Sequence, residues 1–261
     1  MPTSATPQAQ RHNRMLGALF VRRMPGAGAP ALALEQAPQG LFLLWLAYAG
    51  LLFWAAVLLW QQGVWQMLIH ADPTGLTLAI VVLFTLCTLW AGSRAWRLCQ
   101  QRAALEAARA LPANAGPSAE SAGSWSGDYL HAALHPHSDR AVAQDLLGEH
   151  THGPHEMAWW FNGIQLKLGL LGKVIGFSIL ALELGQLDSF DPTQSAALLQ
   201  SLTSGLGIAL LTTMTGLAGN MLLGLQLMRL DRFADALVAD TLALAEARRR
   251  AFGAGEAHPW P

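Results

Sequence analysis

Charged side chains are scarce in this sequence. Lys, Arg, Asp and Glu make up 13% of the 261 residues, whereas a typical soluble domain contains about 25%. The 16 basic residues are balanced by 17 acidic ones, so the chain lacks the basic surplus that a nucleic-acid-binding protein needs. This composition disfavours a soluble enzyme, a disordered chain and a partner of nucleic acid.

Cysteine is almost absent as well, and the presence of only Cys87 and Cys99 excludes a disulfide framework. Apolar residues form 52% of the chain, which also contains 25 Gly and 10 Trp. Small residues and interfacial aromatics are both enriched in membrane helices. We therefore expect an all-α integral membrane protein in a lipid bilayer. No nucleophile and base stand out as a set, so the sequence predicts neither an enzyme nor a cofactor.

Four apolar runs are long enough to cross about 30 Å of hydrocarbon as transmembrane helices. They cover residues 41–60, 74–92, 163–185 and 197–228. The first two form a hairpin over 41–93, and the last two form a second hairpin over 163–228. Only the third run contains charged residues, which are Lys167, Lys173 and Glu183.

Basic residues are confined to alternate segments of the chain. Residues 1–40, 93–162 and 229–261 contain Arg, whereas the connections 61–73 and 186–196 contain neither Lys nor Arg. The positive-inside rule then predicts four spans with both termini in the cytoplasm. A two-span topology would not explain why 186–196 is free of basic residues.

Three segments are expected on the cytoplasmic side. The basic segment 1–40 is either an amphipathic helix on the inner leaflet or a disordered tail. The region 94–162 should continue the second span as a helix, pass through a flexible linker at 112–127 and resume in two short helical pieces. The tail 229–261 has apolar residues at helical spacing, and we expect it to extend the fourth span until a helix end at Gly253.

The region between residues 131 and 155 is rich in histidine. The spacings H-x3-H-x-H and H-x-H-x2-H are compatible with a zinc or nickel site. The alternative is a loop-rich segment without metal, which the intervening Pro and Gly and the lack of nearby Cys favour, so we predict no metal site. The histidines are His131, His135, His137, His150, His152 and His155.

The third and fourth spans are built from small and polar residues. Small residues four apart let helix backbones approach closely. The resulting stripe either packs the two helices within one subunit or faces a polar axis shared by several subunits, and we favour the shared axis. Helix packing is assigned to Gly169, Gly172, Gly176, Gly216 and Gly224. The lining of an ion path is assigned to Lys173, Thr212, Thr213, Thr215 and Asn220.

Lys173 stands about ten residues into the third span. A cation in the middle of a bilayer costs at least about 2.5–3.5 kcal/mol, so it should face a water-filled cavity or a carboxylate. Glu183 lies about 15 Å further along the same helix, which is too far to pair with it. Either Lys173 is neutral through desolvation, or its counter-charge comes from another chain.

Two segments of the second hairpin resemble a known family. Residues 168–177, LGLLGKVIGF, are similar to the G-L-L-G-T-V-x-G core of the MotA/TolQ/ExbB proton-channel family. Residues 207–217, GIALLTTMTGL, are similar to the A-L-L-A-T-x-x-G-L segment of its next span. The resemblance covers about 161–245, and the four-span layout resembles the flagellar stator member.

This resemblance implies a homopentamer in the bacterial inner membrane. Its inner helices would surround a single-span partner like ExbD, TolR or MotB, whose intramembrane aspartate carries the proton. Proton or sodium flow would then transmit force to another layer of the cell. The family has a threonine on each inner span; Thr213 matches one of them, and Lys173 takes the place of the other.

Two alternatives to this pore-forming motor subunit remain at the level of the sequence. One is a non-conducting scaffold of the same fold, in which Lys173 pairs permanently with the partner's aspartate. The other is a small-solute transporter, although the sequence shows neither the broken helices nor the inverted repeats typical of that class.

Overall fold

The computed structural model describes residues 39–72, 74–112, 123–135, 138–185 and 192–256. These residues form helices and connections, with no strand among them. The helices are α1 Gly40–Gln61, α2 Val64–Ala71, α3 Leu76–Ala110, α4 Trp125–Leu134, α5 Arg140–Gly185 and α6 Pro192–Glu256. Of the predicted basic segment 1–40, all but the last two residues lie outside the described residues.

Four of these helices, α1, α3, α5 and α6, are long and apolar enough to cross a membrane. The predicted all-helical fold is therefore confirmed for the described residues, and each predicted span falls within one of the four helices or overruns it by two residues. α2 was not predicted: it is a single short helix within the connection 61–73, and left-handed glycines at Gly63 and Gly75 flank it.

The region between the second and third spans differs from its prediction. α4 begins at Trp125, inside the predicted linker 112–127, because the Ser124 hydroxyl accepts a hydrogen bond from the Gly127 amide at 3.0 Å and caps the helix. Residues 113–122 of that linker lie outside the described residues. The second predicted helical piece is not separate, because α5 runs without interruption through Pro154 into the third span.

The C-terminal helix is also longer than predicted. α6 continues past Gly253 to Glu256, and Gly253 is itself helical rather than a left-handed helix end. Arg248 of this extension is buried, and its guanidinium donates to the carbonyl of Ala108 near the end of α3. Arg102 of α3 pairs with Asp240 of α6. These contacts explain why both extensions stay helical beyond the predicted spans.

α5 and α6 form an antiparallel pair, and α3 packs against it. The core between α3 and α6 contains Ala91 and Leu98 from α3 together with Leu223, Leu227 and Leu237 from α6. A second, smaller cluster surrounds α4 and comprises Ala108, Tyr129, Leu130, Ala133, Leu147 and Ala245. α1 contacts α3 through Trp45, whose indole nitrogen donates to the Thr88 carbonyl at 3.2 Å.

Candidate functional site

Glycines bring the backbones of α5 and α6 into direct contact. A methyl carbon added at Gly176 would lie 2.7 Å from the Gly205 carbonyl oxygen, and one added at Gly169 would lie 3.0 Å from the Thr212 carbonyl oxygen. Real side chains do not approach backbone atoms as closely as 2.7 Å. The two helices can therefore keep this separation only with glycine at such positions.

The other predicted packing glycines lie along the same contact. An added carbon at Gly216 would meet the Gln165 carbonyl oxygen at 2.8 Å, and one at Gly172 would overlap the Thr212 side chain. Gly224 sits more loosely, 3.4 Å from the Asn162 side-chain nitrogen by the same construction. The structure thus assembles all five glycines between α5 and α6 of one chain.

The threonines predicted to line an ion path are engaged within this hairpin. Thr212 is fully buried within the chain, and its hydroxyl donates to the Ile208 carbonyl at 2.7 Å. Its assignment to the lining of an ion path stays a prediction. The half-buried Thr213 donates to the Ala209 carbonyl at 2.7 Å. Thr215 donates to the carbonyl of Leu211 in the same way, one turn earlier in α6.

Asn220 is half-buried at the α5–α6 contact, where its amide nitrogen donates to the Asn162 carbonyl at 2.9 Å. The sequence assigned Asn220 to the lining of an ion path. In the structure its side chain connects α5 and α6 of one chain. Nearby, Gln165 is fully buried, and neither polar atom of its amide has a hydrogen-bond partner among the described residues. Gln165 has no predicted role, although an amide within an apolar span is a visible signal in the sequence.

Lys173 has a different environment from the threonines. Its side chain is exposed on α5, and Nζ lies 5.9 Å from the centre of the Phe177 ring, within the range of a cation–π contact. Among the described side chains, no carboxylate lies within 4 Å of it. Its neighbours Leu170 and Val174 are 50% and 61% exposed. Lys173 is thus a cation on an apolar, uncovered face.

A second polar cluster lies beyond the predicted spans and centres on Arg94 of α3, which is 4% exposed. Its terminal nitrogen donates to the carbonyls of His150 and Thr151 in α5. Pro154 has no amide hydrogen, so the His150 carbonyl has no helical donor. Arg94 therefore supplies from α3 the hydrogen bond that Pro154 removes from α5. Trp125 of α4 stacks near the guanidinium, 5.1 Å from ring centre to Cζ.

The same arginine connects to α6 through His155. Arg94 Nε donates to His155 Nε2 at 3.2 Å, and His155 Nδ1 lies 2.7 Å from Asp231 Oδ1. The other oxygen of Asp231 accepts from the Trp159 indole at 2.8 Å. Burial lowers the pKa of His155, and the positive charge of Arg94 lowers it further, against the opposing effect of the Asp231 hydrogen bond. Burial, followed by repulsion from Arg97, also lowers the pKa of Arg94.

The described histidines of this region form separate contacts and not one group. His131 and His135 face each other at 2.9 Å between their Nε2 atoms on α4, whereas His152 pairs with Asp235 on α6. His150 lies beside Trp125, and His137 is outside the described residues. Among the described side chains, no group of three or more His, Cys, Asp or Glu is close enough to hold a metal ion.

Comparison of the whole chain with protein-family models, with curated proteins and with solved structures gives no significant match.

Proposed function

We propose that this chain is the oligomer-forming subunit of an inner-membrane complex driven by a proton or sodium gradient, of the MotA/TolQ/ExbB type, acting with a single-span partner. The observation that carries the proposal is the position of Lys173. It is exposed, lies about ten residues into a membrane-spanning stretch, and has no carboxylate within 4 Å among the described residues.

Lipid is an unfavourable cover for the face around Lys173. Contact with lipid would cost about 2.5–3.5 kcal/mol or more for a charged Lys173. The α5 residues next to Lys173 and one helical turn from it are also exposed, namely Leu170, Val174 and Phe177. An apolar face that contains one cation suits a protein partner that supplies apolar contact and one carboxylate. A single span with an intramembrane aspartate has both properties.

The hairpin supports the same proposal through its rigidity. The glycine contact between α5 and α6 fixes the two helices against each other at backbone distance, so their outer faces act as one surface. On α6, Met214 and Met221 are exposed as well, at 71% and 72%. Such a paired surface is suited to contact with further subunits around an axis.

A non-conducting scaffold of the same fold is the second candidate, and two observations favour it. The Thr212 and Thr213 hydroxyls are both hydrogen-bonded to carbonyls of their own helix. In addition, Lys173 takes the place of a family threonine. In this candidate an ammonium group repels cations from the position where the motor proteins would hydrate them.

The first experiment replaces Lys173 by Met in the tagged full-length chain, purified from its native membranes. We expect the variant to lose the small single-span protein that copurifies with the wild type, because a buried carboxylate left unpaired costs about 3–5 kcal/mol. Lys167→Met is the matched control, because Lys167 is an exposed lysine on the same helix near the predicted interface. Equal copurification with all three chains would contradict the role of Lys173.

The second experiment separates motor from scaffold by proton flux into proteoliposomes containing the purified complex. In the motor, the wild type conducts and Thr213→Val abolishes the current. If the chain is a scaffold, the wild type shows no proton flux and Lys173→Thr creates one. Absence of proton flux with both the wild type and Lys173→Thr would contradict both candidates.

A further inference from the structure

Three helices meet at one buried chain of side chains outside the hairpin contact. Arg94 comes from α3, His155 from α5 and Asp231 from α6, and the first two are 4% and 2% exposed. Arg94 Nε to His155 Nε2 measures 3.2 Å, and His155 Nδ1 to Asp231 Oδ1 measures 2.7 Å. We refer to these three residues as the clasp.

The hydrogen-bond pattern fixes one protonation state of the imidazole. A guanidinium can only donate, so the Nε2 atom of His155 must accept and carry no proton. The carboxylate of Asp231 can only accept when ionised, so the Nδ1 atom must carry the proton and donate. The clasp therefore requires a neutral His155 in a single tautomer between a fixed cation and a fixed anion.

We propose that the clasp is a pH-responsive link between α3 and the α5–α6 pair, closed when His155 is neutral and opened when acidification protonates it. A second proton on Nε2 would set an N–H group against the N–H of Arg94 and place two positive charges about 3.2 Å apart.

All the charged groups around the imidazole contribute to this response. On α3, Arg97 acts on the clasp through Arg94, whose pKa its charge lowers after the larger effect of burial. On α5, His152 is the neighbouring titratable group, and on α6 Asp231 supplies the opposing negative charge. Only Asp231 favours the protonated imidazole, whereas burial, Arg94 and His152 oppose it.

Opening the clasp would also remove a support from α5. If Arg94 withdraws, the His150 carbonyl loses its donor, because Pro154 cannot replace it. The segment of α5 immediately before the third span would then exchange its backbone hydrogens more readily. Protonation of His155 is thereby coupled to the stability of the α5 segment that leads into the α5–α6 hairpin.

The direction of the pH effect follows from the lowered pKa of His155. In the open state the imidazole has its ordinary pKa of about 6.5, and in the closed state the pKa is lower. Between these two values the open state binds more protons, so falling pH favours opening. The contribution of the clasp to closure is fully present above about pH 6.5 and is lost as the pH falls from there through the lowered pKa of His155. Each unit of difference in pKa corresponds to at most about a tenfold shift in the ratio of closed to open.

The test uses hydrogen–deuterium exchange of the full-length chain in lipid nanodiscs at about pH 7.5 and about pH 5.5, on either side of the ordinary histidine pKa. Each variant is compared with the wild type at the same pH, which cancels the intrinsic pH dependence of exchange. His155→Gln is the key variant, because its amide can accept from Arg94 and donate to Asp231 without titrating. His131→Gln is the control, because His131 lies on α4 and faces His135 outside the clasp.

We expect amides near residues 150–160 to lose protection by up to about tenfold on acidification in the wild type and in His131→Gln, but not in His155→Gln. Equal loss in all three chains would overturn the proposal. Exchange at the imidazole C2 position provides a second readout on the wild type alone. It should give His155 a titration midpoint below the ordinary value, and a midpoint at or above that value would equally overturn the proposal. Neither readout depends on ion flux or on a partner.

Discussion

Pro154 and Arg94 depend on each other at the scale of single residues. A proline inside a helix costs about 3 kcal/mol, partly because it leaves a carbonyl without a donor. An arginine buried without partners is also unfavourable. Here the guanidinium donates to the His150 carbonyl that Pro154 exposes, so each residue reduces the cost of the other. The pair shows how a buried charge in α3 can stabilise an irregular point in α5.

Arg94→Met should destabilise the protein, because it leaves the His150 carbonyl without a donor at a cost of about 1–3 kcal/mol. Pro154→Ala restores an amide hydrogen to α5, so the same Arg94→Met change should cost less in that background. We expect a coupling free energy of about 1 kcal/mol or more from a double-mutant cycle, measured by unfolding in detergent.

Arg97→Met is the matched control for this cycle, since Arg97 is an exposed arginine three positions along the same helix. Its effect should remain within about 0.5 kcal/mol. Strictly additive effects of Arg94→Met and Pro154→Ala would show that the arginine does not compensate for the proline.

At the scale of elements, the separation of α5 and α6 is determined by glycine. Gly176 of α5 faces the Gly205 carbonyl and the Ala209 amide of α6 at distances that exclude a β-carbon. Without a hydrophobic effect between helices in lipid, close backbone packing is a main source of attraction. The stability of the hairpin should therefore respond sharply to single methyl groups.

Gly176→Ala should destabilise the hairpin by about 1–3 kcal/mol, the usual cost of overpacking a tight contact. Gly207→Ala on α6 is the control, because a carbon added there meets nothing within 4 Å. The control should be neutral or stabilising by up to about 1 kcal/mol, owing to the better helix propensity of alanine. Thermal unfolding of both variants measures the difference, and a similar loss at the two positions would contradict the glycine contact.

The sequence predicted these elements where local signals determine them. The run 41–60 became α1, Gly40–Gln61, because an uncharged apolar stretch of that length has few alternatives to a helix. The continuity of α5 through Pro154 was not predicted, because local rules end or kink a helix at proline. The hydrogen bond that Pro154 removes is replaced by one from Arg94, which is 56 positions away from the His150 carbonyl that it binds.

The candidate site was predictable to a similar extent. Lys173 and the glycines are visible in sequence because charge and small size are unusual within a span. The burial of Thr212 was not, since helical spacing alone does not determine which neighbour a face meets. The clasp combines residues 61 and 76 positions apart, Arg94 with His155 and His155 with Asp231. Only the packing of three helices reveals it.

At the scale of the whole molecule, the distribution of basic residues predicts how the chain crosses the membrane. Single cysteines introduced in 61–73 and 186–196 should react with an impermeant reagent added from outside the cell, and a cysteine in 112–127 should not. The native Cys87 and Cys99 are buried free thiols and should be replaced first. Outside labelling of 112–127 would contradict the four-span topology.

The central claim is that the uncovered face around Lys173 meets other protein chains. Native mass spectrometry of the wild-type complex, extracted from its own membranes in a mild detergent, tests this claim most directly. We predict a homopentamer that retains a smaller single-span protein, because the cation on this face requires a carboxylate that the described part of the chain does not place near it. A stable monomer with no bound protein would contradict the account.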